Sequence, residues 1–82
     1  NKPILSEDEE EEMKRFLLGL RKGEQTIVTF YMDHRLSTKE AVFYKIEKEE
    51  GKIHFYGFSL PLSSLIRIRY SWTESALDVH LL

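Results

Sequence analysis

Residues 55–68 constrain the fold more than any other part of the sequence, because they are almost wholly apolar and include both a glycine and a proline. Pro61 lacks the N–H that a sheet ladder needs, and Gly57 has no side chain to pack, so each marks a bend, an edge or a bulge. Ser63 and Ser64 are typical of a tight turn before a new strand. The stretch therefore predicts a small sheet that bends strongly and changes direction twice.

The N-terminal part of the chain predicts a helix over residues 7–22. Ser6 and Glu9 have the spacing of a capping box, in which each side chain bonds to the backbone N–H of the other residue. Acidic residues fill the first turn, where the helix dipole favours negative charge. Gly23 is expected to follow the end of the helix. Apolar side chains recur at helical spacing and predict a face packed on the core: Met13, Phe16, Leu17 and Leu20. Leu18 lies off this face and is a candidate for a second contact.

After Gly23 the periodicity changes from helical to alternating, which predicts strands. In the first strand Val28 and Phe30 are expected on one face, with Ile27 and Tyr31 on the other. In the second, Val42, Tyr44 and Ile46 are expected to alternate with Ala41, Phe43 and Lys45. Four strands are predicted, at residues 25–32, 37–48, 53–58 and 65–70.

The predicted fold is α+β and mainly β, in one domain spanning residues 1–82. An N-terminal helix precedes a small, strongly bent antiparallel sheet at residues 25–70, similar to an SH3-like or Sm-like partial barrel of four or five strands. Residues 71–82 fit two structures. The alternation of Leu77, Val79 and Leu81 favours a fifth strand, whereas Ser71 and Glu74 also fit a helix cap.

Composition excludes several classes of protein. The chain is 41% hydrophobic and 32% charged, which is typical of a globular domain. It has no cysteine, so disulfide and thiolate chemistry are excluded. No stretch approaches the roughly 20 apolar residues of a membrane span, and no signal segment opens the sequence. We therefore expect a soluble cytoplasmic domain.

Catalytic patterns are absent from the sequence. His34, His54 and His80 fall in separate elements without the spacing of a metal pair, and we interpret them as surface histidines. Ser63 and Ser64 lack the glycine elbow of a nucleophile. The scattered glycines form no phosphate-binding loop. The sequence therefore predicts a protein that is not an enzyme and uses no cofactor or metal.

One predicted sheet face is more apolar than an exposed face usually is. Either the chain's own helix or tail covers this face, or the face binds a partner. The candidate partner-binding residues on it are Ile27, Tyr31, Phe43 and Tyr56. The candidate basic contacts form a weaker patch: Arg35, Arg67 and Arg69.

Three segments resemble the YolD-like family of bacterial proteins. Residues 2–9, KPILSEDE, look like that family's helix entry "KPILxEDE". Residues 28–34, VTFYMDH, are similar to its strand "ITYYKDG", although His34 stands where glycine is usual. Residues 60–68, LPLSSLIRI, look like its ending "IPLDDIIDI". Family members usually begin with a further segment resembling "DRGxxKWxxAMMLPEH", which this sequence does not contain. We expect either that the protein lacks this segment or that the sequence was cut from a longer protein.

The resemblance implies a role as an accessory subunit of an error-prone Y-family DNA polymerase, analogous to UmuD in the bacterial SOS response to DNA damage. The leading hypothesis is therefore a non-enzymatic protein-interaction module whose partner is such a polymerase or another repair protein. One alternative is an Sm-like domain that binds single-stranded nucleic acid through the arginines and aromatic residues. Another is a structural domain that self-associates through an open strand edge.

Overall fold

The chain folds into one helix and a five-stranded antiparallel sheet in a computed structural model that describes residues 4–71. The strand order is β4-β3-β2-β1-β5, and among the described residues β4 and β5 each pair with one neighbour only. The sheet is therefore open, and the predicted α+β, mainly β class is confirmed. The elements are α1 (Glu7–Gly19), β1 (Gln25–Met32), β2 (Arg35–Glu47), β3 (Lys52–Phe55), β4 (Phe58–Pro61), a 3₁₀ turn (Leu62–Ser64) and β5 (Leu65–Tyr70).

Helix α1 begins as predicted and ends earlier. The Ser6 hydroxyl accepts from the Glu9 N–H at 3.2 Å, and the Ser6 N–H donates to Glu9 Oε1 at 2.9 Å, which completes the capping box. The helix ends at Gly19 rather than at residue 22, because glycine weakens the last turn and Leu20 is already extended, with ψ 141°. Gly23 instead donates its N–H to the Phe43 carbonyl at 2.8 Å and so leads into the sheet.

The core lies on one face of the sheet, and α1 packs against it. Four half-buried side chains of the helix contact the core, which confirms the predicted stripe: Met13, Phe16, Leu17 and Leu20. Thr26 is the buried polar residue of this region, and its hydroxyl donates to the Ala41 carbonyl at 2.8 Å. The buried apolar residues come from all five strands: Val28, Ala41, Phe43, Ile53, Phe55, Leu60, Leu65 and Ile68.

A β-bulge in β2 changes which of its side chains face the core. Phe43 pairs with Phe55 but Lys45 pairs with His54, so Tyr44 is an extra residue on β2. The extra residue reverses the alternation, as bulges do. Ile46 consequently packs against the core on the same side as Phe43. The predicted strict alternation of Val42, Tyr44 and Ile46 is therefore wrong beyond Tyr44.

The predicted third strand, at residues 53–58, is in fact two strands. Phe55 pairs with Phe58, and Tyr56 and Gly57 form the turn between β3 and β4. Gly57 has φ +98°, a conformation that favours glycine, so it makes a hairpin rather than the expected barrel corner. The fifth strand of the sheet arises from this split. Of the tail, only Ser71 is described, and the prediction for residues 72–82 lies outside the described residues.

The β1–β2 hairpin uses a two-residue turn without glycine. Met32 pairs with Arg35, and the residues between them, Asp33 and His34, have φ values of 54° and 63°. Positive φ at both central positions defines a type I′ turn, which matches the twist of a hairpin. Left-handed backbone costs a residue with a side chain about 1–2 kcal/mol relative to glycine, so the turn carries strain.

The His34→Gly substitution is expected to stabilise the protein by about 0.5–1 kcal/mol, because glycine adopts the left-handed conformation without a Cβ clash. Thermal unfolding followed by circular dichroism measures the change. The matched control is Arg35→Gly at the first residue of β2, which is expected to lower the melting temperature. A destabilised His34→Gly variant would contradict the strained turn.

The Phe43→Ala substitution is expected to lower the free energy of unfolding by about 3–5 kcal/mol, because Phe43 is 5% exposed in the core. The Tyr56→Ala substitution removes a side chain that is 54% exposed and is expected to cost about 1 kcal/mol. Urea denaturation measures both values, with Phe43→Leu as a variant expected to cost less than about 1.5 kcal/mol. Equal losses at Phe43 and Tyr56 would refute the inward orientation of Phe43.

Candidate partner-binding surface

The structure does not bring the four predicted face residues together. Ile27 and Tyr31 are half-buried on the side of β1 opposite the buried Val28, as expected. Phe43 was predicted to share that face but lies in the core, because the β1–β2 register pairs Thr26 with Ala41 and so turns Phe43 inward. Tyr56 stands in the β3–β4 turn.

The three predicted basic contacts are also divided. Arg67 and Arg69 are exposed on β5 and pair with Thr29 and Ile27, so they share one face. Arg35 pairs with Met32, whose side chain points to the opposite face of β1. The arginines therefore do not form one basic patch.

Two tyrosines form a surface contact that the sequence pattern did not reveal. Tyr44 and Tyr56 meet edge to face, with 5.2 Å between their ring centroids. Lys22 Nζ lies 4.6 Å from the Tyr44 ring centroid, within the range of a cation–π contact. The contact depends on the bulge at Tyr44 and on the turn at Tyr56, and neither has a strong local signal in the sequence.

An apolar groove runs between α1 and the 3₁₀ turn. We call it the helix groove, and its volume is about 540 Å³. Leu65 is 3% exposed at its base. The other apolar residues that line it are Ile4, Leu5, Met13, Leu17, Leu62 and Ile66, and its polar residues are Glu10, Lys14 and Ser63.

Exposed apolar side chains extend the surface beside the helix groove. Ile4, at one end, is 94% exposed. Leu18, which the sequence marked for a second contact, is 75% exposed. It lies one helical turn beyond Lys14, on the same side of α1. Residues 7–12, all acidic, are also exposed along this helix.

The Glu9 carboxylate links the start of α1 to β5 electrostatically. The pKa of Glu9 is lowered, first by the Ser6 backbone N–H, next by the Ser6 hydroxyl, and to a smaller extent by the charge of Arg67. The ionised form of Glu9 is therefore favoured in the folded protein. Arg67 consequently lies near negative charge, which weakens its predicted role as a phosphate contact.

The structure places two of the three predicted surface histidines and both turn serines. His34 is exposed in the β1–β2 turn, whereas His54 is half-buried in β3 beside Glu47. His80 lies outside the described residues. Ser63 and Ser64 lie in the 3₁₀ turn, as predicted.

Comparison with known proteins adds no relative: no family model, no curated protein and no solved structure matches this chain. Within residues 4–71, none of the helical segments has both the length and the apolar character needed to cross a membrane.

The Ser6→Ala substitution is expected to raise the pKa of Glu9 part of the way towards its ordinary value of 4.5, because the Ser6 backbone N–H, the larger cause of the lowered pKa, remains while the Ser6 hydroxyl is lost. A carboxylate with a lowered pKa stabilises the fold above its unfolded pKa, and this stabilisation is lost as the pH falls through the folded pKa. Loss of the cap is also expected to cost about 1 kcal/mol at neutral pH. An NMR titration of the Glu9 carboxyl measures the shift, and an unchanged pKa in Ser6→Ala would contradict it.

Proposed function

We propose that this chain is a non-enzymatic, cytoplasmic protein-interaction module that binds a partner segment in the helix groove. The observation that carries the proposal is a groove of about 540 Å³, walled by apolar side chains and set beside an exposed acidic helix. Recognition of this kind places an amphipathic segment with its apolar side chains in the groove. The partner segment has apolar anchors at helical spacing and basic residues on its flanks.

The walls of the groove favour an apolar ligand. Met13 and Leu17 form the helix side, and Leu62 and Ile66 form the opposite side. An exposed apolar surface of this kind on a small domain is typical of a binding site. Burial of these side chains by a partner removes apolar surface from water, which is the main favourable term in protein association.

The charges beside the groove favour a basic protein over a nucleic acid. Residues 7–12 are acidic and exposed, and Glu10 itself lines the groove. Complementary charge on the partner increases the association rate and disfavours wrong partners. The same negative charge repels phosphates, and Arg35 is separated from Arg67 and Arg69. We therefore prefer a protein partner to the nucleic-acid alternative.

The family resemblance supports a specific partner class. Two of the three resembling segments, residues 2–9 and 60–68, contribute lining residues to the groove, among them Ile4, Leu5 and Leu62. The third segment, residues 28–34, covers the second part of β1 and the turn that follows it. Since the resemblance implies an accessory subunit of an error-prone Y-family DNA polymerase, we propose that such a polymerase, acting in the bacterial DNA-damage response, is the partner.

Binding to the purified Y-family polymerase of the same genome tests this proposal by surface plasmon resonance. Ile4→Asp and Leu18→Asp change exposed positions beside the groove, so the fold is expected to be retained. Combined, they are expected to weaken binding at least about tenfold, because they place charge where the partner's apolar side chains pack. Glu10→Lys is expected to weaken binding as well, by reversing a charge at the rim.

The matched control is Leu36→Asp, since Leu36 is 52% exposed on β2 and does not line the groove. Its affinity is expected to equal that of the unaltered chain. Absence of binding to the polymerase would refute the proposed partner. A loss of binding confined to Leu36→Asp would refute the proposed surface.

A further inference from the structure

Three metal-binding side chains converge at the β2–β3 hairpin. Glu47 is the last residue of β2, His54 lies in β3, and Glu50 lies in the turn that connects them. One ligand atom from each residue lies within 4.8 Å of the ligand atoms of the other two. The strand register explains the meeting, because Lys45 pairs with His54 and Glu47 with Lys52, which makes Glu47 and His54 diagonal neighbours on one sheet face.

His54 presents its ring nitrogen to this cluster. Its Nε2 atom lies 2.6 Å from Glu47 Oε1. The same atom is shielded from solvent and has no aligned hydrogen-bond partner. A carboxylate oxygen only accepts, so a contact this short requires either a hydrogen on Nε2, which would donate to Glu47, or a bound cation that both atoms ligate.

We propose that Glu47, Glu50 and His54 bind a divalent transition-metal ion of the Zn²⁺ class. Imidazole suits zinc and its transition-metal neighbours, whereas magnesium and calcium prefer oxygen ligands alone. Zinc lies about 2.0–2.2 Å from nitrogen and carboxylate ligands, so His54 Nε2 and Glu47 Oε1 must move apart from their 2.6 Å contact, and the Glu50 carboxylate must adjust to reach the ion. Glu50 is exposed, and its side chain has the freedom to make that adjustment. Water completes the coordination.

The surrounding charges set an expectation for the affinity. Lys45 and Lys52 lie on the same sheet face as His54 and oppose a cation. Lys45 Nζ lies 5.8 Å from the Tyr44 ring centroid, in the range of a cation–π contact. We expect moderate zinc affinity, because two carboxylates and an imidazole favour binding of the ion while the positive charges of the two lysines oppose it.

Zn²⁺ titration of the purified chain by isothermal calorimetry at neutral pH tests the proposal. One equivalent of zinc is expected to bind, and to raise the melting temperature because the folded state alone assembles the site. His54→Gln and Glu50→Gln are each expected to weaken binding at least about tenfold, because each removes one of three protein ligands and loss of a group that only orients a ligand already costs that much. Since Glu50 is exposed, its substitution leaves the fold intact. Co²⁺ absorption reports coordination directly, and Mg²⁺ is expected to give no comparable heat.

Two other histidines provide matched controls. His34→Gln, in the β1–β2 turn, and His80→Gln, in the tail, are expected to bind zinc as the unaltered chain does. Absence of zinc binding up to about 1 mM would overturn the proposal. So would unchanged affinity in His54→Gln, or a loss that appears only in the His34 or His80 variant. A Glu47–His54 contact that binds no metal ion would give no Co²⁺ spectrum, and that result would also overturn the proposal.

Discussion

The structure depends on β2, the strand that hydrogen-bonds to both halves of the sheet. Its first part pairs with β1 up to Val42, and its last part pairs with β3 from Phe43 onward. At the change of partner, the Phe43 N–H donates to the Glu24 carbonyl at 2.9 Å, and the Tyr56 N–H donates to the Val42 carbonyl at 2.9 Å. Nearby, the Thr26 hydroxyl donates to the carbonyl of Ala41, the residue that it faces in this register. A shift of one residue would expose Ala41 and Phe43 and would turn the charged Glu40 towards the core.

The same arrangement separates the two proposed binding regions. The helix groove lies where α1 approaches β5 and the 3₁₀ turn. The proposed metal ligands Glu47, Glu50 and His54 lie at the C-terminal end of β2 and in the hairpin that follows it. The two regions share no residue. A partner in the groove and an ion at Glu47 and His54 therefore contact different elements, so loss of one activity by mutation need not remove the other. The Tyr44–Tyr56 contact lies at the bulge and belongs to neither region.

Features that depend on neighbouring residues were predictable from the sequence, and those that depend on strand pairing were not. The capping box at Ser6 and Glu9 is local, so its pattern predicted the contact. Gly57 was recognised as a break, but whether it made a corner or a hairpin depended on the pairing of β3 with β4. Phe43 was placed on the wrong face because alternation leaves the absolute orientation of a strand undetermined.

In the candidate sites too, local features were predictable from the sequence, whereas contacts between distant parts of the chain were not. Met13 and Leu17 were predicted to face the core, and they also line the groove, whose opposite wall comes from residues distant in sequence. His54 has no second histidine at the spacing of a metal pair, so the sequence predicts a surface histidine at this position. The relevant signal was its position beyond a hairpin loop, which brings it back beside Glu47.

The pairing of β5 with β1 has a consequence for folding during translation. Thr26 pairs with Tyr70, so the last described strand completes a contact with the first. On the ribosome, the helix and the β1–β4 meander emerge while one edge of β1 still lacks its neighbour. Contacts so distant in sequence also slow folding, because the intervening chain must close a loop first. A nascent chain paused before residue 65 therefore displays an unpaired strand edge, the kind of surface that promotes aggregation and recruits chaperones.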